Sequence, residues 1–189
     1  MFGITRPRLM RGASLPVPVE APIIHTERLT LRPFSMADSG RWFEIQSDPQ
    51  VRAFTSWPER NREESRRHLK NRTHHVLLKQ ADDFLALAVE HDGILIGDVS
   101  LHLRSVETVT RSAEISWILH PDSQGHGYAF EAARAMLELA FTRLEARVIF
   151  ALVHPTNTAS MALAQKLGFT PFDGSDGEII FVSTGLLAQ

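Results

Sequence analysis

Gln124-Gly125-His126-Gly127-Tyr128-Ala129 is the stretch whose residue types and spacing could do chemistry, and that chemistry is anion binding. It lies between an alternating apolar segment and an apolar helical stripe, where a helix would begin. The first turn of a helix carries N–H groups with no intrahelical partner and the positive end of the helix dipole, which together seat a phosphate. Glycines at 125 and 127 let backbone approach the anion with no side chain between, and small Ala129 lets the helix pack closely. The spacing alone leaves a plain glycine turn open as the alternative. Two familiar phosphate loops do not fit. A P-loop would need Gly-Lys-Ser/Thr. A dinucleotide fingerprint would need a third glycine where Phe130 stands and an acidic residue closing the next strand near Val153.

The elements flanking this loop follow from periodicity. Residues 112–119 alternate as a strand, with Ala113, Ile115, Trp117 and Leu119 on one face and Glu114, Ser116 and Ile118 on the other. Ala129, Ala132, Ala133, Met136, Leu137, Ala140, Phe141 and Leu144 form the apolar stripe of a sheet-packed helix. The unbroken apolar run 148–153 predicts a strand covered on both faces. Strand, helix and strand make one βαβ unit, hence a parallel pair inside an otherwise antiparallel sheet.

Upstream, strands 84–90 and 94–103 are joined by Asp92-Gly93, a type I′ hairpin signal. In the second strand Leu95, Gly97, Val99, Leu101 and Leu103 share one face, and Asp98, Ser100 and His102 the other. Residues 26–32 predict a strand stopped by Pro33, and Ser35 caps a helix that ends at Asp48-Pro49. Residues 58–80 predict one long charged helix carrying Arg60, Arg62, Arg66, Arg67, Lys70 and Arg72, read as a solvated face laced by i,i+4 pairs, with docking to an acidic partner as the alternative. Residues 157–167 predict a second helix, capped by Asn157, with Lys166 in its last turn and Gly168 at a left-handed exit. A last hairpin joins 169–172 to 178–183. The first 22 residues, broken by Pro16, Pro18 and Pro22, read as a flexible arm leaning to polyproline II, an organelle-targeting peptide being the alternative. One domain is expected over 23–189, of mixed α/β (α+β) class with a mostly antiparallel sheet.

Composition narrows the chemistry. The 189 residues, 43% hydrophobic and 22% charged, are the mix of one soluble domain large enough to hold a core without staples. The chain has no cysteine, which excludes disulfides, thiolate metal sites and an acyl-cysteine intermediate. A formal charge of −2 argues against nucleic-acid or anionic-membrane partners, and the longest apolar runs fall far short of the ~20 residues of a membrane helix. A cytoplasmic location is expected. The histidines, among them His74-His75, His120 and His154, have no ligand spacing, so no metal is expected.

The pattern Gln-x-x-Gly-x-Ala of residues 124–129 resembles the pyrophosphate loop of the GNAT superfamily of acyl-CoA-dependent N-acyltransferases. Thr26-Glu27-Arg28-Leu29-Thr30-Leu31-Arg32, with Asn157-Thr158-Ala159-Ser160 leading into Lys166-Leu167-Gly168-Phe169, resembles its subfamily of ribosomal-protein N-terminal acetyltransferases, over about residues 24–183. The resemblance implies that acetyl-CoA lies where two parallel strands splay, its diphosphate on the amides of Gly125, His126, Gly127, Tyr128 and Ala129 beside Gln124, and its pantetheine arm along backbone near Ile118 and Leu119. His126 would then sit exposed beside the phosphates. The resemblance also implies attack by a primary amine, a protein N-terminus or a small amine, in a ternary complex. Glu114 is the candidate base and Ser160 the candidate acid, with Asn157 near the pantetheine as well as capping its helix. Many members use a tyrosine on that helix, but the chain's one tyrosine, Tyr128, is in the loop. Ser116 stands where glycine is common, and Phe130 where threonine is common. Acceptor choice would rest on about residues 36–80 and on the last turn, where Asp173, Asp176 and Glu178 could attract a cation. A non-catalytic CoA-binding regulatory or ribosome-docking module is the alternative function, and edge pairing could make a homodimer.

Overall fold

The computed structural model describes residues 12–55, 57–172 and 177–185. Its N-terminal part holds β1 (Ser14–Glu20), β2 (Ile24–His25), β3 (Thr30–Pro33), α1 (Ser39–Ser47), the one-turn α2 (Pro49–Arg52) and α3 (Arg62–Arg72). β4 (Leu77–Gln80), β5 (Phe84–His91), β6 (Ile94–Ser105) and β7 (Ser112–Leu119) follow, then α4 (Tyr128–Thr142), β8 (Val148–Val153), α5 (Thr158–Lys166), β9 (Thr170–Phe172) and β10 (Ile179–Ser183). Eight strands form one sheet in the order β2-β3-β5-β6-β7-β8-β10-β9. Among the described residues only β7 and β8 run parallel, joined through α4 as the βαβ pattern requires.

Local signals account for much of this. Asp92 and Gly93 sit at φ 50° and 76°, the two left-handed residues of a type I′ turn. α4 buries Ala132, Ala133, Met136, Leu137 and Ala140 on the sheet, each large apolar side chain so buried contributing about 1.5–3 kcal/mol relative to exposure. At the end of α5, Phe169 N–H donates to Ala164 O and Gly168 N–H to Gln165 O, both at 3.0 Å, with Gly168 at φ 86°. That is the Schellman pattern, and buried Phe169 completes it.

Four expectations are corrected. The arm expected over residues 1–22 is, at Ser14–Glu20, a strand antiparallel to β4 in a separate two-stranded sheet. Pro16 and Pro18 fall in its unpaired middle, where a missing N–H costs no ladder bond, while Leu15 and Val19 turn into the core. Residues 1–11 lie outside the described part. The long helix expected over 58–80 is only Arg62–Arg72. Asn61 caps it by accepting from Glu64 N–H at 3.0 Å, so the helix begins four residues late, and the apolar stretch at its far end becomes β4. The strand expected over 26–32 gives up its first residues to a turn closed by Thr26 N–H donating to Leu29 O. In β6, a bulge puts Ile96 rather than Leu95 on the face of Val99, Leu101 and Leu103. Leu95 packs on the opposite face with Ala86, Ala88, Trp42 and Ile45, because one extra residue reverses the side-chain parity upstream of it.

The cations of α3 are only partly a solvated face. Arg62 lies over the Phe43 ring and Arg67 pairs with Glu63. Arg72 turns inward. Its guanidinium is ion-paired with buried Asp98 and surrounded by the rings of Phe34, Trp42, Trp57 and Phe84, whose centroids lie 4.8 to 5.8 Å away. Nearby, His68 Nδ1 accepts from Trp42 Nε1, and Gln46 in turn accepts from Ser65 Oγ. Burial, with Arg72 and Arg60 close by, pushes His68 down to about 3, and burial with Arg72 pushes His75 down to about 4. Both rings stay neutral when folded, whereas the unfolded chain protonates them below about pH 6.5. Unfolding therefore takes up protons, and stability falls as pH drops from about 6.5 toward 4. Urea midpoints measured at about pH 7.5 and about pH 5 will be lower at the acid pH, and the gap will shrink in His75→Asn.

Candidate active site

β7 and β8 pair at Ser112 with Val148, Ala113 with Ile149 and Glu114 with Phe150, and no further. Past that point β7 stays on β6 as far as Leu119 opposite Gly97, and β8 stays on β10 as far as Val153 opposite Ile179. The two parallel strands diverge. Gly97 lets β6 hold the end of β7 this closely, because a Cβ there would overlap the Ile118 carbonyl oxygen and lie 2.6 Å from the Leu119 side chain. α5 crosses the opening, anchored by the Trp117 indole N–H donating to Ser160 Oγ at 3.3 Å.

The divergence opens into a cleft of about 420 Å³. Ile118 and Leu119 line one side, Gln124, Gly125, Gly127, Tyr128 and Ala129 the next, and Asn157 and Ser160 a third. Asn157 caps α5 by accepting from Ser160 N–H at 3.1 Å, as expected of its position. Gln124 Nε2 donates to Leu119 O at 3.1 Å and ties the loop to the strand end. Gly125 and Gly127 sit at φ 79° and 82°, a backbone that any side chain would strain. A Cβ on Gly125 would meet no protein atom within 4 Å. Gly127 is the N-cap of α4 and offers no side chain to its first-turn amides. Amides without an intrahelical partner, at the positive end of a 15-residue helix and facing a cleft, suit a diphosphate.

The loop is braced from outside. Glu131 accepts from Thr26 Oγ1 at 2.6 Å, from Arg28 N–H at 2.8 Å and from Arg28 Nε at 2.7 Å. Arg28 Nη1 donates to His126 O at 2.9 Å, and the guanidinium lies 4.8 Å from the centre of the Tyr128 ring. Although the carboxylate is partly desolvated, bonds from Thr26 and Arg28 hold Glu131 below the usual carboxylate range. Tyr128 OH bonds His91 Nε2 at 3.0 Å. Glu131 lies off the apolar stripe of its helix, and its partners could not be read because they lie about a hundred residues earlier in the chain.

Two expected site residues are not in the cleft lining. His126 contributes its carbonyl to Arg28 and stacks its ring on Tyr128, 5.6 Å between centres. Glu114 is ion-paired with Arg104 and stands at the last paired position before the strands part. Asp173 and Asp176 lie outside the described residues. Conversely, Gln50, Val51 and Phe54 from the α2 region, with Trp117, Phe130 and Lys166, line the cleft without having been singled out for it. Among the described residues no cluster of three or more His, Asp or Glu could hold a metal ion, and no helix is long and apolar enough to cross a membrane.

Residues 28–170 match the acetyltransferase (GNAT) domain family. The chain is 30% identical over 147 residues, 77% of its own length and 81% of the relative's, to the uncharacterized N-acetyltransferase p20 of Bacillus licheniformis. Its fold is similar to that of a GNAT-family acetyltransferase from Bacillus anthracis, with a TM-score of 0.71 at 24% identity over 85% of this chain and 96% of that one. It is also similar to RimL, a ribosomal L7/L12 alpha-N-protein acetyltransferase, in complex with coenzyme A, with a TM-score of 0.67 at 16% identity over 86% of this chain and 97% of that one. A family match over most of the chain, on a fold whose central parallel strands part beside a glycine-flanked helix start, makes this protein a member of the GNAT acetyltransferase family.

Proposed function

We propose that this chain transfers the acetyl group of acetyl-CoA to a primary amine, a protein N-terminus or a small amine, by direct attack in a ternary complex. The observation that carries the reading is that the strand divergence and the glycine loop open onto one cleft. In this reading the amides of Gly125 to Ala129 take the diphosphate, and the pantetheine lies along the edge of β7 near Ile118 and Leu119 that β8 leaves uncovered, where Gln124 already holds the Leu119 carbonyl. A backbone N–H at the end of β7 polarises the thioester carbonyl, a contact typically worth ~2.7–4 kcal/mol to the transition state. RimL, solved with coenzyme A, supports the donor by its fold, and the motifs 26–32 and 157–169 support the ribosomal-protein subfamily.

The acceptor must lose a proton before it attacks the carbonyl carbon, and the sulfur must gain one as the C–S bond breaks. Glu114 is assigned the first proton, relayed by water because its carboxylate lies outside the cleft lining, with Arg104 fixing it where the strands part. Ser160 is assigned the second. Its oxygen already accepts from Trp117, which leaves its own hydrogen free to point into the cleft. Glu114→Gln is expected to lower kcat about a hundredfold with the affinity for acetyl-CoA unchanged, and Ser160→Ala to lower kcat less. Steady-state kinetics on an acceptor found by mass spectrometry across peptide, polyamine and amino-acid panels checks both. An unchanged kcat in Glu114→Gln removes that residue from the mechanism. Tight coenzyme A binding with no acceptor acetylated across the panels would favour the non-catalytic alternative.

A further inference from the structure

Lys166 is a cation placed for an anion that the glycine loop does not take. α5 lies along the cleft, with Ser160 at the Trp117 end and Lys166 six residues on, about 9 Å further along the helix axis. Lys166 Nζ sits 4.6 Å from the centre of the Phe130 ring. Phe130 is the third residue of α4, so the ammonium is held beside the first turn of the phosphate-binding helix, on the wall that faces it. No ion pair engages Lys166 among the described residues. A cation–π contact holds a lysine in place without neutralising it, so the charge remains available to the cleft.

Coenzyme A carries two separate anionic groups, the diphosphate and the ribose 3′-phosphate. On the reading above, the loop amides take the diphosphate. We propose that Lys166, seated on Phe130, binds the 3′-phosphate monoester and makes this enzyme distinguish coenzyme A from its 3′-dephospho form. On that reading the loop amides meet the diphosphate, which both compounds share. Lys166 is exposed and lines the same cleft from α5, beside Phe130 rather than in the loop itself, so a second anionic group of a ligand seated on the loop is what it would meet. The inference rests on the acetyl-CoA reading and adds to it the part of the ligand that is discriminated.

Isothermal titration of the full chain with coenzyme A and with 3′-dephospho-coenzyme A tests it, in wild type, Lys166→Met, Lys166→Arg and Phe130→Leu. Wild type is expected to favour coenzyme A about tenfold, the size of one charge-assisted contact at an open site, and less so at high salt. Lys166→Met should bind both compounds as wild type binds the dephospho form, Lys166→Arg should keep the preference, and Phe130→Leu should weaken it. Methionine preserves helix propensity and the apolar stem, and circular dichroism with unliganded Tm confirms that each variant is folded. Equal weakening toward both compounds in Lys166→Met would overturn the proposal, because the contact would then be to the diphosphate or structural. An equal affinity of wild type for both would also overturn it. If wild type binds neither, the coenzyme A reading itself fails, and this proposal with it.

Discussion

Replacing Arg72 by alanine is expected to lower the unfolding free energy by about 3–5 kcal/mol, because it strands Asp98 as a buried carboxylate without a counterion. Asp98 is 1% exposed, and neither its Oδ1 nor Arg72 Nε finds a further hydrogen-bond partner among the described residues. Arg72 is thus most of what compensates the carboxylate. The guanidinium in turn loses its water to four aromatic rings, which return part of that cost as cation–π attraction. For a chain of this size the loss corresponds to a fall in Tm of about 10 °C. Removing both charges is a different matter. Arg72→Met combined with Asp98→Leu replaces an ion pair with apolar volume and should recover most of the stability, because the desolvation cost of both charges disappears together. Urea unfolding of the two single variants and the double variant measures the coupling. Additive losses would show that the pair does not act as a unit.

Gly127→Val is expected to weaken acetyl-CoA binding about a hundredfold or more, the loss of two charge-assisted amide contacts. The residue is at φ 82°, where a β-branched side chain is most strained, and an added Cβ would lie 3.4 Å from Arg28 Nη2. The strain is relieved only by turning the peptide, which takes the following amides off the cleft. Gly93 provides the comparison. It has nearly the same φ, at 76°, with open space around it, but sits in the β5–β6 turn outside the cleft lining. Gly93→Val should lose stability to a similar degree and keep its affinity. Equal affinities for Gly127→Val and wild type would mean that the loop does not bind the ligand.

Features set by neighbours in sequence could be read before the fold was known. The Asp92-Gly93 turn, the apolar stripe of α4, the Asn157 cap and the Gly168 exit each depend on residues within a few positions, and each stands where the pattern put it. The family resemblance added what periodicity could not, a splaying of the two parallel strands, which the structure shows just after Glu114. What escaped depends on partners far along the chain. β1 exists because β4 lies beside it some sixty residues later, so its prolines read in isolation as a loose arm. The bulge at Ile96 needs the β5 register to be seen, and alternation alone put Leu95 on the wrong face. Arg72 sits in a run of arginines and glutamates whose composition predicts solvent. Only the aromatic side chains gathered from α1, the Trp57 segment and β5 show that this one turns inward. Glu114 shows the same limit in the site itself. Its strand face was legible, but Arg104 on its carboxylate was not.

The central claim is that the start of α4 grips the diphosphate of acetyl-CoA. Titrating nitrogen-15-labelled protein with coenzyme A while following backbone amide resonances tests it most directly. The account predicts saturable shifts largest at Gly125, Gly127, Tyr128 and Ala129, with smaller ones at Ile118 and Leu119. Saturable binding that leaves those loop amides unmoved, with its largest shifts elsewhere in the chain, would contradict it.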